Sequence, residues 1–167
     1  MHVLRVAELD EEGHHLFLTG GPGVGKSAVL KFIDIGLHDI YNKDVGEYRC
    51  RHIKVAFTGA ACNVLGQGTG TIHSTFAVPI NQNLEIYQQL SSEKLQQLQI
   101  RLLYLKWLII DEISLVSNKL YNFINWRLQD IKGRQNIPFG GVNILCCGDL
   151  SQLPPVQGNW IFEDIGN

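Results

Sequence analysis

The glycine-rich stretch GGPGVGKS at Gly20–Ser27 constrains the fold of this chain more than any other part of its sequence. The apolar segment HLFLT at 15–19 leads into it, and an amphipathic helical pattern follows. The spacing Gly-x-x-x-x-Gly-Lys-Ser between a strand and a helix is that of a phosphate-binding loop. Backbone N–H groups and the helix amino terminus would point at the phosphates, and only glycine permits so close an approach. The alternative is an ordinary glycine turn with a solvated lysine.

Each residue type in this loop has a chemical role in nucleotide binding. Lys26 is expected to reach the β- and γ-phosphates, and Ser27 to ligate Mg²⁺. The sequence therefore predicts ATP and Mg²⁺ as cofactors. The predicted nucleotide-binding residues are Gly20, Gly21, Pro22, Gly23, Val24, Gly25, Lys26 and Ser27.

Composition limits the alternatives without indicating a partner. With 167 residues, 45% of them hydrophobic, the chain is long enough to bury the core of one domain. It contains no apolar run of membrane-spanning length and no signal segment at Met1, so we expect an intracellular protein without a membrane partner. The net charge of −2 means that any nucleic-acid binding must come from a local groove. The cysteines lack C-x-x-C spacing, and Cys146 and Cys147 are interpreted as buried reduced thiols.

Strand patterns alternate with helix patterns along the chain. Periodicity predicts strands at 15–19, 52–59, 107–112 and 142–149, and helices at 27–40, 95–105 and 120–131. Between them, 66–70 is predicted to be a loop and 71–76 a short helix or turn. This order predicts an α/β fold with a parallel sheet flanked by helices, in a single domain.

Two acids follow the apolar strand WLII, at Asp111 and Glu112. Ligands of open α/β sheets bind at the carboxyl ends of the strands, where these acids are expected to lie. Asp111 is predicted to hold Mg²⁺, and Glu112 to orient and deprotonate an attacking water. Strand ends also carry acids for purely structural reasons, which is the alternative.

The segment GDLSQLPPV at Gly148–Val156 follows the last predicted strand. The amide of Gln152 is predicted to donate to a γ-phosphate oxygen and to lose that contact after hydrolysis. Pro154 and Pro155 would stiffen the segment and transmit the change. Alternatively, Asp149 is a turn cap and the prolines only terminate the strand.

The segment FTGAACNVLGQGTGTIHSTF at 57–76 carries small residues and hydroxyls but little charge. We predict that Thr58, Gly59, His73 and Ser74 contact a single DNA strand lying across the sheet edge, through phosphate contacts that position it without reading its sequence. The alternative for His73 is a packed, hydrogen-bonded histidine.

These stretches, in this order, resemble the Pif (petite integration frequency) family of DNA helicases, in the 5′-to-3′ branch of helicase superfamily one. The matching segments are Gly20–Ser27, Thr58–Ser74, Ile109–Ser114, Phe139–Gly141 and Gly148–Val156. The resemblance covers nearly the whole chain and implies that residues 1–167 are the first RecA-like P-loop NTPase domain. It further implies ATP-dependent DNA unwinding in repair of DNA damage, recombination and telomere maintenance. The implied partners are single-stranded DNA and duplex forks, for a monomeric protein that is nuclear or mitochondrial if eukaryotic.

The chain departs from the family pattern at three places. Leu150 and Ser151 replace an aromatic-rich pair, the loop between Ala61 and Thr71 is slightly longer, and the glutamine that reads adenine is not found before Gly20. The resemblance also implies a second RecA-like domain, absent from these residues, whose arginines complete the ATP site. We therefore expect this chain to bind nucleotide without unwinding DNA. The alternatives are a helicase module of a rolling-circle transposon or conjugative relaxase, and a truncated nucleotide- or DNA-binding product.

Overall fold

The computed structural model describes residues 2–41, 50–66, 68–79, 84, 86–149, 151, 155 and 159–163. The helices are α1 (His2–Glu8), α2 (Lys26–Tyr41), α3 (Gly59–Leu65), α4 (Ile72–Phe76), α5 (Ser92–Leu102) and α6 (Asn118–Lys132). The strands are β1 (His15–Thr19), β2 (His52–Ala56), β3 (Thr69–Thr71), β4 (Trp107–Asp111) and β5 (Asn143–Gly148). None of the described helices has the length and apolar character that crossing a membrane requires.

The strands form one parallel sheet in the order β1-β5-β4-β2-β3. Side chains of β4 and β5 alternate between its faces, as the pleat requires. Leu108 and Ile110 belong to the core cluster that includes α5 and α6, whereas Trp107 and Ile109 belong to the cluster that includes α1 and α2. The predicted α/β fold with helices on both faces of a parallel sheet is confirmed.

The register aligns the carboxyl ends of all five strands on one edge. Thr19 pairs with Gly148, and Ala56 pairs with both Asp111 and Thr71. Because every segment predicted to be functional follows a strand, the sheet brings these segments to the same edge. We call it the carboxyl edge, and the opposite one the amino edge.

Several boundaries differ from the sequence prediction. The predicted loop at 66–70 contains the start of β3, which pairs with β2 but is too short and glycine-rich to show alternation. Strand β2 ends at Ala56 because Thr58 caps α3. Strand β4 ends at Asp111 because Glu112 adopts a left-handed conformation, at φ +54°. Helix α1 was not predicted, and α5 ends before Leu105.

Candidate active site

The Gly20–Ser27 loop connects β1 directly to α2 at the carboxyl edge. Gly23 and Gly25 have φ values of +74° and +91°, which residues other than glycine rarely adopt. A Cβ on Gly20 would lie 2.8 Å from Cγ2 of Val24, so the loop also packs closely on itself. The amino terminus of a 16-residue helix follows at Lys26. The loop therefore has the conformation and the helix terminus that phosphate binding requires.

The Lys26 ammonium lies across this loop. Its Nζ donates to the carbonyl oxygens of Gly20 at 2.6 Å and Gly21 at 2.8 Å. These contacts place a positive charge beside the backbone that is predicted to surround phosphates. Ser27 follows in the first turn of α2, where its side chain is exposed.

Asp111 ends β4 on the same edge. One carboxylate oxygen, Oδ1, accepts from the backbone N–H of Glu112 at 2.9 Å. Cys147 on the neighbouring strand β5 lies close to this carboxylate. Burial, and secondly the charge of Asp111, raises the pKa of Cys147 to about 12, so the thiol stays protonated. The hydrogen bond from the backbone of Glu112 fixes the orientation of Asp111.

Glu112 has the features of a general base. Its left-handed backbone, at φ +54°, is uncommon for a residue that is not glycine. Its Oε2 is buried and has no hydrogen-bond partner in the described part of the chain. Burial, and secondly the charge of Asp111, raises the pKa of this carboxyl, while a hydrogen bond with Thr58 lowers it. Such a perturbed carboxyl is a candidate for proton transfer.

Asp149, directly after β5, is a further buried acid at this edge. Its Oδ1 accepts from Ser151 N at 2.9 Å and from Ser151 Oγ at 2.6 Å. These hydrogen bonds lower the pKa of Asp149, and the nearby Lys26 charge contributes. Its Oδ2 has no partner among the described residues. The turn-cap reading of Asp149 is therefore consistent with the structure, whereas Gln152 and Pro154 lie outside the described residues.

The residues predicted to contact DNA lie after the neighbouring strands β2 and β3. Thr58 caps α3, accepting from Ala61 N at 3.2 Å, and Gly59 begins that helix. His73 and Ser74 lie on α4, where the His73 ring meets the Phe57 ring edge-to-face at 5.9 Å between centroids. Burial lowers the pKa of His73, which favours its neutral form. The structure brings these four residues to one side of Asp111 and Glu112.

Ser74 is engaged locally. Its Oγ donates to the Thr71 carbonyl at 3.0 Å and lies 2.8 Å from Thr71 Oγ1, so it helps cap α4. It remains exposed. Its hydroxyl is thus ordered at the surface.

A carboxylate on α2 connects the loop helix to β2 and α3. Asp34 accepts from Lys54 Nζ at 2.7 Å and lies 3.1 Å from Nε2 of His52. Lys54 also donates to the carbonyl of Leu65 at the end of α3. This network joins the helix behind Lys26 to both elements that flank Thr58.

Sequence reasoning missed the part played by Cys147. It interprets this residue only as a buried thiol, because the contact with Asp111 depends on β5 lying beside β4. The spatial order of strands in a parallel sheet differs from their order in the sequence. The buried, unpartnered oxygen of Asp149 was likewise not predicted.

Comparison with known proteins gives a consistent result. The family model described as PIF1-like helicase matches residues 2–161. The ATP-dependent DNA helicase PIF1 of Candida albicans is 37% identical over 152 residues, which cover 86% of this chain and 15% of that protein. The PIF1 helicase of Emericella nidulans is 34% identical, with 93% of this chain and 20% of that protein covered. The chain thus spans a fifth or less of these two relatives.

Solved structures agree with the sequence comparisons. The crystal structure of the Pif1 helicase from Candida albicans matches with a TM-score of 0.70 at 33% identity, covering 98% of this chain and 35% of that one. The Bacteroides Pif1 helicase in complex with ADP-AlF3 and ssDNA matches with a TM-score of 0.68 at 27% identity, covering 98% and 38%. The fold of the chain is therefore that of a RecA-like helicase domain.

Proposed function

This chain belongs to the PIF1-like helicase family, and from that premise we propose that it is the first RecA-like domain of an ATP-dependent DNA helicase. The observation that carries the proposal is the meeting of three groups at the carboxyl edge. They are the glycine loop with Lys26 across it, the strand-end Asp111, and Glu112, whose buried Oε2 has no partner among the described residues. Hydrolysis of a nucleotide requires three functions: binding of its phosphates, positioning of its metal ion, and deprotonation of the attacking water.

We propose that the eight residues of the Gly20–Ser27 loop hold the phosphates of ATP. The positive φ values of Gly23 and Gly25 and the start of α2 support this assignment. The neighbour in complex with ADP-AlF3 supports nucleotide use by the family. Lys26 exchanges its carbonyl contacts for phosphate oxygens, which are better partners for an ammonium group because they carry charge.

The oxygen donors at this edge also fit Mg²⁺, which prefers hard oxygen ligands. The Ser27 hydroxyl and the Asp111 carboxylate would hold the ion. Glu112 and Asp149, which follow the neighbouring strands β4 and β5, each have a buried carboxylate oxygen without a partner among the described residues. When bound, Mg²⁺ would neutralise phosphate charge. Asp111 is suited to this role because the hydrogen bond from the Glu112 backbone fixes its orientation.

Glu112 then acts on water. Its raised pKa makes the carboxylate a stronger base than an ordinary glutamate, and its left-handed backbone holds it at the end of β4. We propose that it accepts a proton from the water that attacks the γ-phosphorus. Gln152, on the segment after β5, is proposed to sense the γ-phosphate.

Thr58 gives a direct route from this chemistry to DNA. Its hydroxyl lies close enough to Glu112 to lower the pKa of that carboxyl, and it accepts from Ala61 N, so one residue lies between the proposed base and the start of α3. We propose that Thr58, Gly59, His73 and Ser74 contact phosphates of single-stranded DNA. The Pif1 neighbours bound to ssDNA and to forked dsDNA support this partner.

The finer assignments follow the family resemblance. We propose 5′-to-3′ unwinding with roles in DNA repair, recombination and telomere maintenance, by a monomer in the nucleus or mitochondria if the source is eukaryotic. Arginines of a second RecA-like domain are proposed to complete the ATP site.

Calorimetric titration of the 167-residue chain with MgATP tests the nucleotide site. Lys26→Ala should weaken binding about ten- to hundredfold, because a charge-assisted hydrogen bond contributes about 1.5–3 kcal/mol. Lys31→Ala, an exposed lysine on the same helix, should leave the affinity unchanged. Equal affinity of the wild type and Lys26→Ala would contradict the assignment of this loop as the nucleotide site.

A further inference from the structure

A second concave site lies at the amino edge of the sheet. It is a cavity of about 270 Å³. It is built where β2, β4 and β5 begin, by the residues just before these strands and by the end of α6. Neither the nucleotide site nor the predicted DNA contacts use any of its residues.

Four cations line this cavity, although the whole chain has a net charge of −2. They are Arg51, Lys106, Lys132 and Arg134. One carboxylate, Glu12, lines it with them. A second carboxylate, Asp10, reaches Lys106 Nζ at 3.4 Å. Among the described residues, therefore, these four cations exceed by two the carboxylates that line the cavity or pair with them.

The carboxylates are shared and the other contacts are neutral. Glu12 accepts from Lys106 at 2.9 Å and from Arg134 at 2.7 Å, so it serves two cations at once. Among the described residues, Lys132 donates only to carbonyl oxygens, of Leu102 at 3.2 Å and Leu103 at 2.9 Å. Carbonyl oxygens satisfy its hydrogen bonds without cancelling its charge.

The pKa of Lys132 reflects this crowding. Burial, followed by the charges of Lys106 and Arg134, lowers the pKa of Lys132 to about 8, while Glu12 acts in the opposite direction. Arg51 stands over the Tyr41 ring, with its guanidinium carbon 5.5 Å from the ring centroid. No carboxylate of the described residues forms an ion pair with this guanidinium. An anion in the cavity would relieve the repulsion among the cations.

We propose that this amino-edge cavity binds one phosphate group. A phosphate ester carries about two negative charges near neutral pH, which matches the surplus of two cations. Guanidinium groups have a planar donor array that suits phosphate oxygens, and two of the four cations are arginines. The volume, slightly below the roughly 300–1,000 Å³ of sites for whole small molecules, leaves ample room for one phosphate group.

The site is separate from the nucleotide site because it lies at the other end of the strands. A strand of five residues spans about 16 Å, which separates Lys106 before β4 from Glu112 after it. The phosphate has two possible sources, a small anion or a nucleic-acid backbone. The same cations would contact either one, but a backbone phosphodiester carries one negative charge and balances only half of the surplus.

The test is a titration of the isotope-labelled 167-residue chain with inorganic phosphate, followed by amide resonances. Lys26→Ala is present throughout to remove phosphate binding by the glycine loop. We expect saturable shifts at Lys106, Gly140 and Gly141, since these residues line the cavity. A second titration uses a single-stranded oligonucleotide. Stronger binding of the oligonucleotide at the same resonances identifies nucleic acid as the source, and binding of inorganic phosphate alone identifies a small anion.

Two opposite charge changes make the test decisive. Arg51→Gln should weaken phosphate binding about tenfold, and it breaks no ion pair with a carboxylate in the described structure. Glu12→Gln should strengthen binding, because it removes a competing carboxylate. Lys94→Gln, an exposed lysine on α5, is the matched control and should change nothing. The proposal is overturned if these resonances do not move. It is also overturned if the phosphate affinity measured from their shifts is the same in Arg51→Gln and in Glu12→Gln as without these substitutions.

Discussion

Glu112 combines an uncommon backbone conformation, an acidic neighbour and a buried oxygen that has no hydrogen-bond partner in the part of the chain that the structure describes. The left-handed backbone costs stability in either ionisation state, whereas the buried oxygen and the acidic neighbour cost stability when the carboxyl is ionised. A protein retains such a residue where the strain serves function. At the residue scale, we therefore expect that substituting Glu112 preserves or raises stability while it lowers activity.

Stability should respond to pH at this residue in a defined direction. The folded-state pKa of Glu112 is raised, so the folded state binds more protons than the unfolded state between the two pKa values. Its ionisation therefore destabilises the fold above the raised pKa, and the effect vanishes as the pH falls to the unfolded value. We expect Glu112→Gln to be at least as stable as the wild type at neutral pH, with the difference shrinking in acid. Urea unfolding of both chains across this range measures it, and a less stable variant at neutral pH would contradict the account.

ATP hydrolysis, unlike stability, should decrease when Glu112 is replaced by glutamine. In a helicase chain that joins residues 1–167 to a second RecA-like domain, Glu112→Gln should lower ATP turnover by about 10²–10⁴-fold, the usual contribution of a general base. Nucleotide affinity should be preserved, because the amide has nearly the same shape. Phosphate-release kinetics and calorimetry measure the two quantities. Unchanged turnover would show that a residue other than Glu112 is the general base.

Among the elements, sequence periodicity predicted those with a clear pattern. Strand β1 has the predicted bounds, and α6 ends where Gly133 adopts the left-handed cap at φ +64°. Strand β3 escaped prediction because its three residues, Thr-Gly-Thr, pair with β2 through the backbone and show no apolar alternation. The amino-edge cavity was not predicted because its cations are far apart in the sequence and only the fold brings them together.

Helix α6 contains a contact that its pattern did not reveal. Arg127 is 1% exposed and donates to the carbonyls of Phe76 and Gln88 at 3.1 Å each and to the Tyr87 hydroxyl at 2.9 Å. Its guanidinium carbon also lies 4.9 Å from the Tyr87 ring centroid and 5.1 Å from the Phe123 ring centroid. The Tyr87 hydroxyl donates to Asp130, one turn along α6. This single side chain therefore fastens the end of α4 and the segment before α5 onto α6.

Arg127→Met should destabilise the chain by about 2–4 kcal/mol, because two carbonyls and a hydroxyl lose a charged donor in a buried site. Arg101→Met is the matched control, since Arg101 is exposed and donates to one carbonyl, that of Thr75. The control should lose no more than about 1 kcal/mol. The free energies of urea unfolding compare the two variants. Equal losses would show that the Arg127 network does not hold these elements together.

For the whole molecule, the account predicts nucleotide binding without DNA unwinding. An arginine that stabilises the transferring phosphoryl group contributes about 10³–10⁵ in rate in P-loop enzymes. In this chain Arg101, Arg127 and Arg134 bind Thr75, the Tyr87 segment and Glu12, all away from the glycine loop. Unwinding also requires two domains that move against each other on the strand. A strand-displacement assay on the 167-residue chain should show no ATP-driven activity, and robust unwinding would refute this single-domain account.

The measurement that tests the central claim most directly is a map of MgATP binding by amide resonances of the 167-residue chain. The account predicts that saturating MgATP shifts the Gly20–Ser27 loop together with Asp111 and Glu112 at the carboxyl edge. Without Mg²⁺, the shifts at Ser27 and Asp111 should diminish, because these residues are proposed to hold the ion. Shifts confined to other parts of the sheet, or none at the glycine loop, would contradict the claim that this edge is the nucleotide site of a helicase.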